Sequence, residues 1–78
     1  MLEMVLDEIA AVLGYESAES VDPDGDVLEM GMTSISAVQL RIKFIEQTGL
    51  ELPDGFVYDL YSPAAIAEFL VAEFSTQA

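Results

Sequence analysis

The first residues of the chain show the apolar spacing of an amphipathic helix. Apolar side chains recur three and four positions apart and would share one helical face: Leu2, Val5, Leu6, Ile9, Val12 and Leu13. Gly14 follows this run, and glycine readily adopts the left-handed conformation that ends many helices. The pattern therefore predicts a first helix that stops at Gly14.

A second helix is predicted from Thr33 or Ser34 to about Thr48, with Gly49 ending it. Either hydroxyl side chain suits the N-cap position. Successive helical residues differ by about 100°, which places the apolar residues of this segment on two stripes that point in different directions. One stripe comprises Ala37, Leu40 and Phe44, and the other comprises Ile35, Val38, Ile42 and Ile45. One helix in a small bundle rarely buries two stripes, so Val38 and Ile42 belong either to the core or to an exposed contact face.

Residues 14–33 are predicted to form a long loop, because serine, proline and glycine interrupt the apolar pattern there. Six acidic residues lie between Glu16 and Glu29. We expect Val27, Leu28 and Met30 to anchor the loop to the core. A loop of this length in so small a domain is often functional.

The last third of the chain predicts a connector, a short helix and a long helix. Leu50–Gly55 is broken by proline and glycine, and Phe56–Tyr61 has room for one helical turn. Ser62 and Pro63 fit an N-cap followed by proline at the first helical position. The final helix carries four large apolar residues, Ile66, Phe69, Leu70 and Phe74.

These elements predict an all-α fold. It is a four-helix bundle with three longer helices, a short third helix and a long loop between helices 1 and 2. The length of 78 residues fits a single domain, residues 1–78.

Composition excludes several functional classes. There are 15 acidic residues against 2 basic ones, which gives a net charge of −13. Such a chain repels nucleic acids and anionic membranes, remains monomeric, and suits partners with basic patches. The chain has no cysteine and no histidine, so it cannot form a Ser–His or Cys–His pair or a thiolate metal site. We expect no catalytic residue and no metal ligand, and a cytoplasmic location, since the acidic N-terminus does not resemble a signal peptide.

Ser34 is the candidate for chemistry, because it stands at the predicted start of the second helix, shortly after Gly31. Unpaired backbone N–H groups and the positive end of the helix dipole meet there, and both stabilise a phosphate ester. By geometry alone an ordinary N-cap serine is the favoured interpretation, because such caps are common.

The residues around Ser34 resemble acyl and peptidyl carrier proteins, most closely the carrier domains of modular polyketide synthases. The resemblance runs from Asp26 to Leu70, 45 of the 78 residues. Its blocks are Gly31-Met32-Thr33-Ser34-Ile35, Ala37-Val38-Gln39-Leu40-Arg41, Thr48-Gly49-Leu50, Leu52-Pro53, Val57-Tyr58-Asp59 and Ser62-Pro63-Ala64-Ala65-Ile66-Ala67. Each block is weak alone, but they follow the order and spacing of the family.

The resemblance implies a covalent 4'-phosphopantetheine arm on Ser34, which a separate phosphopantetheinyl transferase takes from coenzyme A using magnesium. The arm would carry a biosynthetic intermediate as a thioester to partners such as an acyltransferase or a ketosynthase, so the protein is a carrier and not an enzyme. Arg41 and the Ser62–Ala65 block favour polyketide biosynthesis over fatty acid synthesis. A peptidyl or aminoacyl carrier of nonribosomal peptide synthesis is the alternative. The implied docking residues around the arm are Met32, Thr33, Ile35, Val38, Gln39 and Ile42.

Two features of this chain depart from the resemblance. The family usually has aspartate before the serine, whereas this chain has Thr33, which can cap a helix but offers no carboxylate to a transferase. We therefore expect slower loading or a dependence on a particular transferase. Residues 30–45 contain no acid and hold both bases, Arg41 and Lys43. Docking by this helix should therefore depend more on apolar contact than on charge.

Further hypotheses remain open. The chain also fits an unmodified acidic helical adaptor that binds a partner through its exposed apolar stripe. The segment Asp22–Asp26 resembles a calcium loop, but the twelfth ligand position would be Gly31, where a glutamate is required. A solvated acidic loop is the favoured interpretation. The sequence fits both a discrete carrier and a domain of a larger synthase.

Overall fold

The structure is a computed structural model that describes residues 1–77, so Ala78 of the predicted domain lies outside the described part. The helices are α1 (Leu2–Leu13), α2 (Ser34–Thr48), α3 (Phe56–Leu60) and α4 (Pro63–Gln77). Residues 1–77 contain no strand. The predicted all-α bundle with a short third helix is confirmed. Within the same residues, every helix falls short of the length and apolarity that a membrane crossing requires.

The predicted helix boundaries are confirmed by their capping contacts. Gly14 is left-handed at φ 84°, and its N–H donates to Ala10 O over 2.9 Å. Gly49 ends α2 in the same way at φ 73°. Ser62 Oγ accepts from Ala65 N over 3.1 Å, so Ser62 caps α4, which begins at Pro63 as expected.

The core lies where α1 contacts α2 and α4, with α3 bridging α2 and α4. Three aromatic rings connect the last three helices: Phe44 meets Phe56 edge-on at 6.2 Å between centroids, and Phe56 stacks on Phe69 at 5.6 Å. Paired rings add stabilisation beyond the area they bury. These contacts hold the single turn of α3, which is too short to be stable alone.

The long loop contains one short 3-10 turn, Ala18–Ser20, and is fastened at several points. The Tyr15 hydroxyl donates to Met30 O over 2.8 Å. Val27 N donates to Tyr61 O over 2.8 Å. The first bond closes the loop on itself, and the second ties it to the residue that ends α3.

The anchors of the loop differ partly from those predicted. Val27 is fully buried and Met30 is half-buried, as expected, but Leu28 is exposed, so its prediction as an anchor is wrong. Leu28 lies at the tip of a turn in which Met30 N donates to Asp26 O, and that position faces solvent. Val21 and Met32 take its place in the core.

Candidate functional site

Ser34 is the first residue of α2, and its side chain is exposed. Thr33 is the N-cap: its backbone is extended, and Thr33 Oγ1 accepts from Ser36 N over 3.1 Å. Because the threonine takes the capping role, the Ser34 hydroxyl is left without a hydrogen-bond partner among the described residues. A serine that is exposed and not used as a cap is accessible for modification.

The start of α2 offers donors to an anion on Ser34. The first main-chain bond of the helix runs from Ala37 N to Thr33 O over 2.9 Å, and the N–H of Ser36 is taken by Thr33 Oγ1. The N–H groups of Ser34 and Ile35 precede these bonds and have no intrahelical acceptor. They stand at the positive end of the helix dipole, where a phosphate is stabilised. The residues present therefore fit a phosphodiester on Ser34.

A groove of about 210 Å³ begins at Ser34 and runs between α2 and α3. One wall is formed by Ser34, Ala37, Val38 and Arg41, and the other by residues 54–58. This groove was not predicted from the sequence. Its signal was the Val57-Tyr58-Asp59 block, which was read as part of the resemblance but not placed beside Ser34.

Arg41 fixes the far end of the groove. Its Nε donates to Leu52 O over 2.9 Å and lies 3.4 Å from an Asp54 carboxylate oxygen. The Asp54 side chain is nearly fully exposed, so the ion pair itself contributes little and the bond to the backbone matters more. Arg41 thereby holds the connector between α2 and α3 against α2.

Most of the predicted docking residues lie on the outer surface of α2. Ile35 is 72% exposed and Val38 is 55% exposed, and Thr33, Gln39 and Ile42 are also exposed. The buried side of the helix is instead formed by Ala37, Leu40 and Phe44. Val38 and Ile42 therefore belong to the exposed stripe and not to the core. Docking through this stripe remains a prediction.

Met32 differs from the other predicted docking residues because it is buried. Its side chain is only 7% exposed and belongs to the core cluster, so it is wrong to place it on a docking surface. Its N–H donates to Val27 O over 3.1 Å, which turns the last loop residues inward before the helix begins. Met32 thus anchors the residues just before Ser34 to the core.

The two bases of α2 are both close to acids. Arg41 lies against Asp54, and Lys43 Nζ lies 3.9 Å from a Glu8 oxygen. The outer face around Ile35 and Val38 therefore carries no acid, and each base of α2 lies close to a carboxylate. This part of the surface is apolar and has no unpaired charge.

The acidic loop does not form a calcium cage in the described residues. Asp22 Oδ1 accepts from Asp24 N over 2.9 Å, and Asp26 Oδ1 accepts from Leu28 N over 2.9 Å. These carboxylates cap turns of their own loop. Among residues 1–77, no three acidic side chains converge into a group that suits a metal ion.

Comparisons with known proteins agree with the geometry around Ser34. A family described as the phosphopantetheine attachment site matches residues 3–70. A solved structure, an A1-type ACP domain from module 5 of MLSA1, superposes with a TM-score of 0.84 at 38% identity, covering 92% of this chain and 72% of that one.

Long bacterial synthases also contain similar segments. The phenolphthiocerol synthesis polyketide synthase type I Pks15/1 of Mycobacterium bovis is 40% identical over 75 residues, which is 96% of this chain and 4% of that protein. The pikromycin polyketide synthase component PikAII of Streptomyces venezuelae is 41% identical over 73 residues, 94% of this chain and 2% of that protein. The chain thus spans a small fraction of the length of these curated relatives.

Proposed function

This chain belongs to the phosphopantetheine attachment site family, and we propose that Ser34 is the residue that carries the 4'-phosphopantetheine group. The observation that carries the proposal is the position of Ser34 at the head of α2, exposed and free of the capping role that Thr33 fills. The unpaired N–H groups of Ser34 and Ile35 would receive the phosphate oxygens. No second serine of the family's block has these properties, because Ser36 lies inside the helix and contacts Thr33.

The function that follows is that of an acyl carrier. When bound, the group supplies a thiol on which an intermediate is held as a thioester. The chain's own part is to hold the attachment point still and to keep it accessible. Tethering raises the concentration of the cargo at each partner, and so favours its transfer without diffusion through solution.

We propose that this carrier works in polyketide biosynthesis. Support comes from the relatives, whose names describe polyketide synthases, and from the ACP domain that shares its fold at 38% identity. Its partners would be a phosphopantetheinyl transferase, then an acyltransferase, a ketosynthase or other synthase enzymes. The whole activity of the longer relatives belongs to them, and this chain would contribute the carrier domain, residues 1–78.

The partners would supply the catalysis, and the carrier would itself be non-catalytic and monomeric. Its net charge of −13 opposes association between copies and with nucleic acid or anionic membranes. We also propose a cytoplasmic location, which suits a thiol-bearing group because thiols stay reduced there.

Intact mass tests the attachment site. Incubation with coenzyme A, magnesium and a broad-specificity phosphopantetheinyl transferase should add the mass of one phosphopantetheine to the wild-type chain. Ser34→Ala should abolish the addition and leave the helical circular dichroism nearly unchanged. Ser36→Ala, two residues along the same helix, is the matched control and should be modified normally. Full labelling of Ser34→Ala would show that another residue is the attachment point.

A further inference from the structure

The tripeptide Pro-Asp-Gly occurs twice in this chain, at residues 23–25 and 53–55. An aspartate followed by glycine is prone to spontaneous isomerisation, because glycine has no Cβ to obstruct its own backbone nitrogen. That nitrogen can attack the side-chain carbonyl carbon of the aspartate and close a five-membered ring. Since the two tripeptides are identical, a difference in their reactivity would come largely from the surrounding structure.

The first tripeptide is held in a closed turn. Gly25 N donates to Asp22 O over 3.1 Å, and Asp24 N donates to Asp22 Oδ1 over 2.9 Å. The glycine is also crowded, since a Cβ placed on Gly25 would lie 2.8 Å from Met30 Cε. The nitrogen that would attack is therefore hydrogen-bonded, and the turn must open before it can react.

The second tripeptide has neither restraint. Gly55 N donates to no backbone carbonyl among residues 1–77. A Cβ placed on Gly55 would meet no atom within 4 Å apart from its chain neighbours. The Asp54 side chain is 96% exposed, and its pairing with Arg41 Nε at 3.4 Å is weak because solvent screens it. Both reacting groups are therefore accessible, and packing does not restrain them.

We propose that the fold leaves Asp54 open to spontaneous isomerisation through a cyclic succinimide, whereas it protects Asp24. The Gly55 nitrogen bonds to Asp54 Cγ, and one carboxylate oxygen leaves as water with the amide proton and a proton from solvent. Water then adds to the ring at the main-chain carbonyl of Asp54, the original peptide bond breaks, and a proton returns to solvent. The product is an isoaspartyl linkage of unchanged mass, and its formation needs no oxidant or other reagent.

The product differs from the native chain at the groove beside Ser34. Its main chain runs through Cβ and Cγ of residue 54, so it is longer by one carbon, and the free carboxylate is attached directly to Cα. Residues 54–58 form one wall of that groove, and Arg41 holds the preceding connector through Leu52 O. Isomerisation therefore changes a wall of the groove and leaves Ser34 itself intact.

Trypsin separates the two sites, because the bases of the chain are Arg41 and Lys43. Cleavage after both leaves Asp24 in fragment 1–41 and Asp54 in fragment 44–78. The full chain is kept folded at neutral pH and physiological temperature, and samples are digested at intervals. Isoaspartate in each fragment is measured by methylation with an isoaspartyl methyltransferase and S-adenosylmethionine. We expect it to accumulate about fivefold faster in fragment 44–78, the factor that corresponds to the net contribution of one hydrogen bond on Gly25.

The same incubation in urea is the control for local sequence. The unfolded chain holds neither tripeptide in a turn, so isoaspartate should then form in the two fragments at equal rates. Asp54→Glu keeps a carboxylate on residue 54 but would have to close a six-membered ring, so fragment 44–78 should lose most of its isoaspartate. Asp24→Glu is the matched variant and should leave the rate in fragment 44–78 unchanged.

Equal rates in the two fragments of the folded chain would overturn the proposal, as would a faster rate in fragment 1–41. Isoaspartate that persists in fragment 44–78 of the Asp54→Glu variant would overturn it as well, since Asp59 would then be the source. A fivefold difference that survives in urea would also contradict it, because the flanking residues and not the fold would then set the two rates.

Discussion

The outer face of α2 and the loop before it both border Ser34, but their surfaces are opposite in kind. The face around Ile35 and Val38 is exposed and apolar, and no acid lies between residues 30 and 45. The loop carries six acids between Glu16 and Glu29, and its carboxylates stand in solvent or cap turns. We therefore propose that close contact with a partner and long-range attraction of it depend on two different elements.

This separation suggests two stages of partner binding. Charge acts over about 10 Å at ordinary ionic strength, so the loop would attract a basic partner before contact. Apolar contact acts only once water is excluded, so α2 would determine how long the partner stays. Variants that change one of the two elements at a time can separate the two stages.

The largest effect is expected when a charge is placed on the apolar face. Val38→Glu should raise the KM for transferase loading about tenfold, because the new carboxylate must be desolvated at the interface. Stability should change by less than about 0.5 kcal/mol, since Val38 is mostly exposed. Gln47→Glu adds the same charge in the last turn of α2 and is the control. Equal KM values for the two variants would show that this face is not a contact surface.

A smaller effect is expected when the loop is neutralised. The triple change Asp22→Asn, Asp24→Asn and Asp26→Asn keeps an amide oxygen to cap each turn and removes three charges. Loading by a basic transferase should slow about threefold at about 0.01 M salt and recover its normal rate at about 0.5 M.

The control for the loop removes three exposed charges elsewhere, through Glu3→Gln, Asp7→Asn and Glu68→Gln. A slowing of the same size in this control would mean that net charge attracts the partner and that the loop has no special part.

Thr33 lies where the loop meets α2, so a carboxylate placed there would extend the acidic surface of the loop to the start of the helix. Thr33→Asp keeps a good N-cap and adds an acid beside the helix dipole. We expect loading by a transferase adapted to the usual aspartate to speed up about twofold. Thr33→Asn, an uncharged cap, is the control. An unchanged or slower rate would mean that threonine is neutral or is selected by a dedicated transferase.

The smallest effect concerns the fold itself. Fifteen acids in 78 residues repel one another, so the melting temperature should rise by a few degrees between about 0.01 M and 0.1 M sodium chloride. Magnesium or calcium at matched ionic strength should add at most a slight gain. A melting temperature indifferent to salt would contradict the repulsion. A large rise specific to micromolar calcium would restore the calcium-loop hypothesis.

The parts of the fold that depend on local sequence were predictable. Helix boundaries lie at Gly14, Gly49 and Pro63. The backbone preference of each of these residues is enough to end or begin a helix there. The core stripe of α2 also follows from helical spacing. The resemblance of the surrounding blocks made Ser34 the candidate attachment residue, and that role stays a prediction. The spacing of apolar residues could not decide whether Thr33 or Ser34 caps α2. The choice depends on the extended backbone of Thr33, which the sequence pattern does not show.

The parts that depend on tertiary contacts were not predictable. Leu28 and Met32 are both apolar loop residues, and only the turns on either side decide that the first is exposed and the second buried. The bond from Arg41 to Leu52 O joins residues of two elements, and a charge pattern cannot show it. The strained Tyr61 gave no signal at all, because tyrosine is not a residue expected in a left-handed position.

The bond between Val27 N and Tyr61 O also has a consequence for the order of folding. It joins residues separated by almost half of the chain, so its formation closes a long segment and costs more entropy than any helical turn. Helices form in microseconds or less, whereas contacts between distant residues form later. The packing of α1 on α4 joins residues still further apart. The bond is therefore expected to form together with the long-range packing of the bundle and after the separate helices, so the loop beside Ser34 reaches its final position only when the bundle does.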